Sequence, residues 1–177
     1  MAFERNNISF INDVSSGCHD SDMLDVVSKL GCSYIMTHMP REHKEGSIKV
    51  YDDILSEIKT YFTDRIQKCV EAGISKEKII IDPGIGFGKS GENNINLLKN
   101  IKWLKTIHSN VCIGSSNKRY SSQLFKHIQT KEDLRIANLA TFATSTFYGV
   151  TYLRVHDVGL TKDTVLVINK AVELEQS

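Results

Sequence analysis

Ile79-Ile80-Ile81-Asp82-Pro83-Gly84-Ile85-Gly86-Phe87-Gly88-Lys89-Ser90 places a carboxylate where an apolar run stops. Three β-branched residues in a row read as a strand buried on both faces, the pattern of a parallel sheet. Pro83 and the glycines behind it prevent a strand or a helix from continuing. Ligands of parallel α/β proteins sit at the carboxyl ends of strands. Asp82, on a rigid strand beneath a loop whose backbone a ligand can approach, is therefore a binding candidate on physical grounds.

Other strand ends supply companions: Asn12 and Asp13, His38, Lys118, and Arg154 with His156. Lys118, Arg154 and His156 are cationic donors for an anion such as phosphate. Asp82 and Asn12 suit a flat polar heterocycle instead. A carboxylate accepts two neighbouring N–H groups, and an amide offers a donor and an acceptor. Ser115, Ser116 and Asn117 precede a helix start, another place where anions settle. Arg154 and His156 share a face if their strand persists. Each has a plainer reading. Asp82 and Asn12 also form turns. Lys118 is commonly a solvated lysine, and His38 a hydrogen-bonded interior histidine. Phe87 could pack on the following helix.

Two rival chemistries are weighed against this. Gly88-Lys89-Ser90 ends like a phosphate-cradling loop, but the leading glycine of that pattern falls at Pro83, which has no N–H. Gly84-x-Gly86-x-Gly88 is not the dinucleotide fingerprint either. Asp13, His38, Asp82 and His156 are residue types that suit zinc or manganese. No two of them lie at helical or hairpin ligand spacing, and Lys118 and Arg154 on the same face would repel a cation.

The elements that position these residues follow from periodicity. Ile8 to Val14 reads as a strand. Asp20 or Ser21 caps a helix with Met23, Leu24, Val26, Val27 and Leu30 inward, ended by Gly31. Ser33 to Met39 is a second strand, and Pro40 to Lys49 a polar loop over the ligand face. A long helix runs from about Val50 to Ala72. After the Ile79 strand, one helix carries Ile95, Leu97, Leu98, Ile101, Leu104 and Ile107. Val111 to Ile113 is the fourth strand, and Ser121 to Ile128 a short helix. Thr130 and Asp133 form a capping box ahead of a helix from Leu134 to Phe147. Thr151 to Val155 is the fifth strand. Thr161 caps a last helix with Val165, Val167, Ile168, Val172 and Leu174 inward.

Such β-then-α alternation implies an α/β domain with parallel strands and right-handed crossovers. A closed (β/α) barrel needs eight units. Five make an open sheet or part of a barrel, whose bare edges favour self-association. At 177 residues, 41% hydrophobic and 24% charged, the chain reads as one globular domain. A net charge of +1 argues against a whole-chain role on nucleic acid or membrane. No apolar run approaches a membrane span, and no apolar segment of a signal peptide follows Met1. Cys18, Cys32, Cys69 and Cys112 form no paired motif and read as reduced thiols of a cytoplasmic protein.

Ile11-Asn12-Asp13-Val14-Ser15, Met36-x-His38-Met39, Asp82-Pro83-Gly84-Ile85-Gly86-Phe87-Gly88-Lys89 and Arg154-Val155-His156-Asp157-Val158 resemble dihydropteroate synthase, in that family's order. The resemblance implies a TIM barrel that joins a pterin pyrophosphate to p-aminobenzoate in folate synthesis, releasing pyrophosphate. It implies that Asn12 and Asp82 bind the amino-pyrimidine edge and that Lys118 reaches the pterin carbonyl. Arg154 would stack on the ring and, with His156, hold the leaving pyrophosphate. These three cations would be the catalytic set. Phe87 would wall the p-aminobenzoate pocket, with Gly86, Ser116 and Arg119 also contacting substrate. Magnesium on the pyrophosphate is implied as cofactor, with no ligand assigned in this chain. Partners would be a second copy, as in a homodimer, or a complementing N-terminal fragment.

The match begins at the family's fourth strand. The family's serine-arginine-lysine run stands here as Ser116-Asn117-Lys118, and Arg119 replaces a serine near the p-aminobenzoate carboxylate. A non-catalytic pterin- or anion-binding protein and a pterin-dependent methyltransferase are the alternatives.

Overall fold

The computed structural model describes residues 8–40, 47–115 and 120–175. Five strands alternate with helices: β1 Phe10–Asp13, β2 Ser33–Thr37, β3 Ile79–Asp82, β4 Cys112–Ile113 and β5 Tyr152–Leu153. The helices are α1 Met23–Leu30, α2 Ile54–Glu71, α3 Gly91–Lys99, α4 Ile101–Ile107, α5 Tyr120–Leu124, α6 Lys131–Phe147 and α7 Val158–Glu175. β1, β2 and β3 pair in parallel, with Asn12 opposite Ile35 and Ile35 opposite Ile80. β4 and β5 form a second parallel pair. A bridge between Ile81 and Val111 joins the two groups, and the Ile81 N–H donates to the Asn110 carbonyl at 3.0 Å. The order along the rank is the chain order, as successive right-handed βα units require.

That rank is curled. Five flat strands would hold β1 and β5 about 19 Å apart. The Phe10 and Tyr152 rings nevertheless meet edge-on at 6.0 Å, and Arg154 reaches Asn12 at 2.8 Å. The architecture is a partial barrel whose first and last strands face each other.

The two faces of the rank separate by alternation. Tyr34, Met36, Ile79, Ile81 and Ile113 point outward and pack with Ile58, Phe62 and Cys69 of α2, and with Leu97, Leu98, Ile101 and Leu104 of α3 and α4. Each fully buried aliphatic side chain here contributes about 1.5–3 kcal/mol. Asn12, Ile35, Thr37, Ile80, Asp82, Cys112 and Arg154 lie on the concave face.

Several boundaries differ from the periodicity reading. The helix expected through Ile95 to Ile107 is two helices. The Asn100 side-chain amide donates to the Asn96 carbonyl at 2.7 Å, so the Asn100 N–H turns to Leu97 instead and the helix breaks. α7 is started by Asp157, not Thr161. Leu160 N–H donates to the Asp157 carboxylate at 3.1 Å, and Thr161 sits one turn inside with its hydroxyl on the Asp157 carbonyl. On α7, Val167 and Leu174 are exposed, while Val165, Ile168 and Val172 are half-buried. Asp22, rather than Asp20 or Ser21, precedes α1 and makes no side-chain cap bond. The Thr130–Asp133 capping box of α6 is present in both directions. All four cysteines are free. Among the described residues no helix is long and apolar enough to cross a membrane.

Candidate active site

Asp82 is the last residue of β3 and is fully buried. Pro83 turns the chain, and Gly84 adopts φ +70. That conformation aims the Gly84 N–H at Asp82 Oδ1, at 2.8 Å. It also sets Gly84 against the His38 carbonyl so closely that no Cβ fits. Asp82 Oδ2 lies 2.7 Å from Arg154 Nη1. The same nitrogen donates to Asn12 Oδ1 at 2.8 Å. One guanidinium thus ties the ends of β1, β3 and β5 together.

The electrostatics of the trio follow from burial. Desolvation pushes the Asp82 carboxyl up, against the opposing pull of Arg154, the Gly84 N–H and Lys89. Burial disfavours the Arg154 charge, but Asp82 more than compensates and holds it firmly protonated. Gly114, just past β4, gives the guanidinium its seat. A Cβ there would stand 2.7 Å from Arg154 Cζ. Cys112 lies beneath, its thiol pushed up to about 12 by burial and Asp82, and so is an inert wall rather than a nucleophile.

The other strand-end residues separate from this trio. Asp13 points outward. Its carboxylate accepts from the Ser15 N–H and hydroxyl at 2.7 Å, from the Gly17 N–H at 2.5 Å and from the Tyr34 hydroxyl at 2.7 Å. Burial opposes its charge, yet these donors outweigh it and hold the carboxyl low. Its role is to shape the β1–α1 turn. His38 is buried against the Tyr61 ring at 4.8 Å, and burial with Lys89 and Lys49 nearby drives it down to about 2, so it stays neutral. His38 is thus an interior histidine. The zinc or manganese arrangement does not form: among the described residues no group of three metal-ligating side chains exists.

His156 does not share a face with Arg154 by strand geometry, because β5 ends at Leu153 and His156 is exposed beyond it. Gly86 and Phe87 are half-buried on the loop after β3. Ser116, Lys118 and Arg119, and most of the polar loop after Pro40, lie outside the described residues.

Two residues that hold the site together escape the sequence reading. Lys89 is buried, and its ammonium donates to the carbonyls of His38, Gly84 and Phe87 at 3.0, 3.0 and 3.1 Å. Asn94, in the first turns of α3, accepts from the Gly86 N–H at 2.8 Å and donates to the carbonyls of Lys89 and Ser90. Its signal was available: Asn94 falls three and four residues before Leu97 and Leu98, on the buried stripe of the helix, where an amide needs partners.

Comparison with known proteins agrees with this geometry. Residues 1–156 match the family of pterin binding enzymes. Escherichia coli K12 dihydropteroate synthase is 30% identical over 170 residues, which are 94% of this chain and 58% of that protein. Among solved structures, Xanthomonas albilineans dihydropteroate synthase with 4-aminobenzoic acid is 34% identical with a TM-score of 0.82, covering 93% of this chain and 60% of the other. The same enzyme in complex with 7,8-dihydropteroate gives 34% and 0.80, over 93% and 59% of the two chains. The chain therefore spans little more than half the length of these relatives. On the family match, and on the Asn12, Asp82 and Arg154 side chains gathered at one end of a parallel half-barrel, the chain belongs to the pterin binding enzyme family.

Proposed function

We propose that this chain carries the pterin-binding part of a dihydropteroate synthase-type transferase. The observation that carries the reading is the single guanidinium of Arg154 joined to both Asp82 and Asn12. A buried carboxylate and an amide side by side match the donors and acceptors of an amino-pyrimidine edge. Arg154 stands beside them, where its fixed charge would face a departing anion. The substrates of the reading are a pterin pyrophosphate and p-aminobenzoate. They are supported by relatives whose structures hold 4-aminobenzoic acid and 7,8-dihydropteroate.

In that reaction the bond between the pterin methylene and the pyrophosphate oxygen breaks, and the p-aminobenzoate nitrogen takes the carbon and gives up a proton. Arg154 stabilises the charge that develops on the leaving oxygen. Asp82 and Asn12 hold the ring in register, with Lys118 assigned to the pterin carbonyl and His156 to the pyrophosphate. Phe87 and Gly86 wall the approach of p-aminobenzoate, Arg119 pairs with its carboxylate, and Ser116 is a further substrate contact. Magnesium on the pyrophosphate belongs to the same reading, with no ligand assigned in this chain; among the described residues no group of three metal-ligating side chains is found. No step above passes through it.

A second reading, binding without turnover, is favoured by one observation: Asn12 is exposed and the Arg154 side chain is 34% exposed, so the pocket is open on one side. Calorimetric titration of a pterin beside a coupled assay of pyrophosphate release separates the two. Binding that quickens pyrophosphate release when p-aminobenzoate is added supports the transferase. Binding alone supports the second reading, and no binding rejects both. We further propose a homodimer, supported by exposed Ile136, Phe147, Val158, Leu166 and Val167 on α6 and α7. A monomer by light scattering rejects it. The free thiols support a cytoplasmic location.

A further inference from the structure

The Gly84–Gly88 loop has the composition of a flexible lid and the wiring of a fixed wall. A lid leaves its carbonyls to water. Here the Lys89 ammonium donates to the carbonyls of His38 at the end of β2, of Gly84 at the loop's entry and of Phe87 at its tip. From the other side Asn94 of α3 takes the Gly86 N–H. The Lys49 N–H, on the segment before α2, takes the Gly88 carbonyl at 2.9 Å. The loop is thus anchored to three separate parts of the fold. Lys89 is 1% exposed, and its ammonium faces into the loop.

We propose that Lys89 is a positioning residue: by gathering these carbonyls it fixes Gly86 and Phe87 on the loop that follows Asp82, so the wall facing the second substrate is built before that substrate arrives. The role of the wall toward p-aminobenzoate rests on the transferase reading. The rigidity of the loop does not. Pre-set geometry of this kind lowers the entropy that a bimolecular step must lose. It also divides the site. Asn12 and Arg154 depend on strands, whereas Gly86 and Phe87 depend on Lys89.

Amide hydrogen exchange on the unliganded protein tests the loop directly. In wild type the Gly86 and Phe87 amides, bonded to Asn94 Oδ1 and the Gly84 carbonyl, are expected to exchange at least 100-fold more slowly than free loop amides. Lys89→Met keeps length and burial but donates nothing. It is expected to speed both amides at least tenfold while Ile80 and Ile81 keep their protection. In steady-state assays the KM for p-aminobenzoate should rise at least tenfold, and by several times more than pterin affinity falls. A purely structural lysine would not produce that split. Free exchange of Gly86 and Phe87 in wild type overturns the proposal without any variant, as does unaltered exchange in Lys89→Met. Equal loss of both ligands overturns the division of the site. If wild type binds no pterin, the transferase reading falls and the exchange result still decides Lys89.

Discussion

Asp82→Asn separates the stability of the site from its function. The carboxylate is fully buried, with Oδ1 on the Gly84 N–H at 2.8 Å and Oδ2 on Arg154 at 2.7 Å. Its pKa is raised because desolvation outweighs Arg154, the Gly84 N–H and Lys89. A carboxyl whose native pKa lies above its unfolded one binds its proton more tightly when folded. Stability then falls as pH rises between the two values, so at neutral pH the ionised group costs the fold free energy. Asparagine removes that cost and keeps the Gly84 bond but loses the pair with Arg154, whose side chain is 34% exposed and so retains part of its hydration. Opposing contributions of about 1–3 kcal/mol each leave the net stability within about 1 kcal/mol of wild type.

Binding has no such compensation. A carboxylate that accepts two N–H groups of a pterin edge makes two charge-assisted bonds of about 1.5–3 kcal/mol each. The amide offers one acceptor and turns an N–H toward an N–H. A loss of about 3–4 kcal/mol lowers affinity roughly 100- to 1000-fold. Calorimetric titration at neutral pH, paired with urea unfolding, measures both numbers. A Kd within threefold of wild type on a normally folded variant would refute Asp82 as the ring anchor. A stability loss above about 3 kcal/mol would refute the account of its burial.

Three further substitutions probe the surroundings. Gly114→Ala puts a methyl where the guanidinium lies; pterin affinity should fall about tenfold, on the scale of one displaced charge-assisted bond, with unfolding nearly unchanged. His38, depressed to about 2, destabilises the fold as pH drops below its ordinary 6.5. Between pH 7 and pH 5 this amounts to about 2 kcal/mol, and His38→Phe, which keeps a ring against Tyr61, should unfold in urea with that much less acid sensitivity. Arg119→Ala should weaken p-aminobenzoate binding by about 1–3 kcal/mol if that guanidinium pairs with the substrate carboxylate; unchanged binding in a competition titration removes the pairing.

The strand order, the parallel sense and the placement of Asp82 at a strand end were legible because each rests on local pattern. Three isoleucines ahead of Asp82-Pro83-Gly84 admit few other readings. Arg154 and Asn12 were also legible as strand-end companions of Asp82, but their direct bond was not, since it depends on how far five strands curl. The expected shared face of Arg154 and His156 does not form, for a local reason: β5 pairs only through Leu153, and strand alternation does not extend past it. Asp13 and His38 stand at strand ends, as Asn12 and Asp82 do, but face outward, one residue out of phase with Asn12 and Thr37. Lys89 was hidden because a buried lysine is rare enough that composition argues against it. Only the carbonyls of a folded glycine loop explain its place.

The link between β1 and β5 joins the site to the fold. Across the open side, the described side-chain contacts are the Phe10–Tyr152 edge and the Arg154–Asn12 bond. Asn12 and Phe10 are exposed, so water competes for both contacts, and pairs of this kind hold about 0–1 kcal/mol. A planar ligand seated between Asn12, Asp82 and Arg154 would replace that water and act as the missing core of the concave face. By mass action, a pterin at 100 times its Kd should add about 2.7 kcal/mol to stability. The protection should be largest at the β1 and β5 amides, where the unliganded chain has least to hold it. Ligand-dependent melting that spares those two strands, or is absent at saturating pterin, would show that the clasp is not where the ring binds.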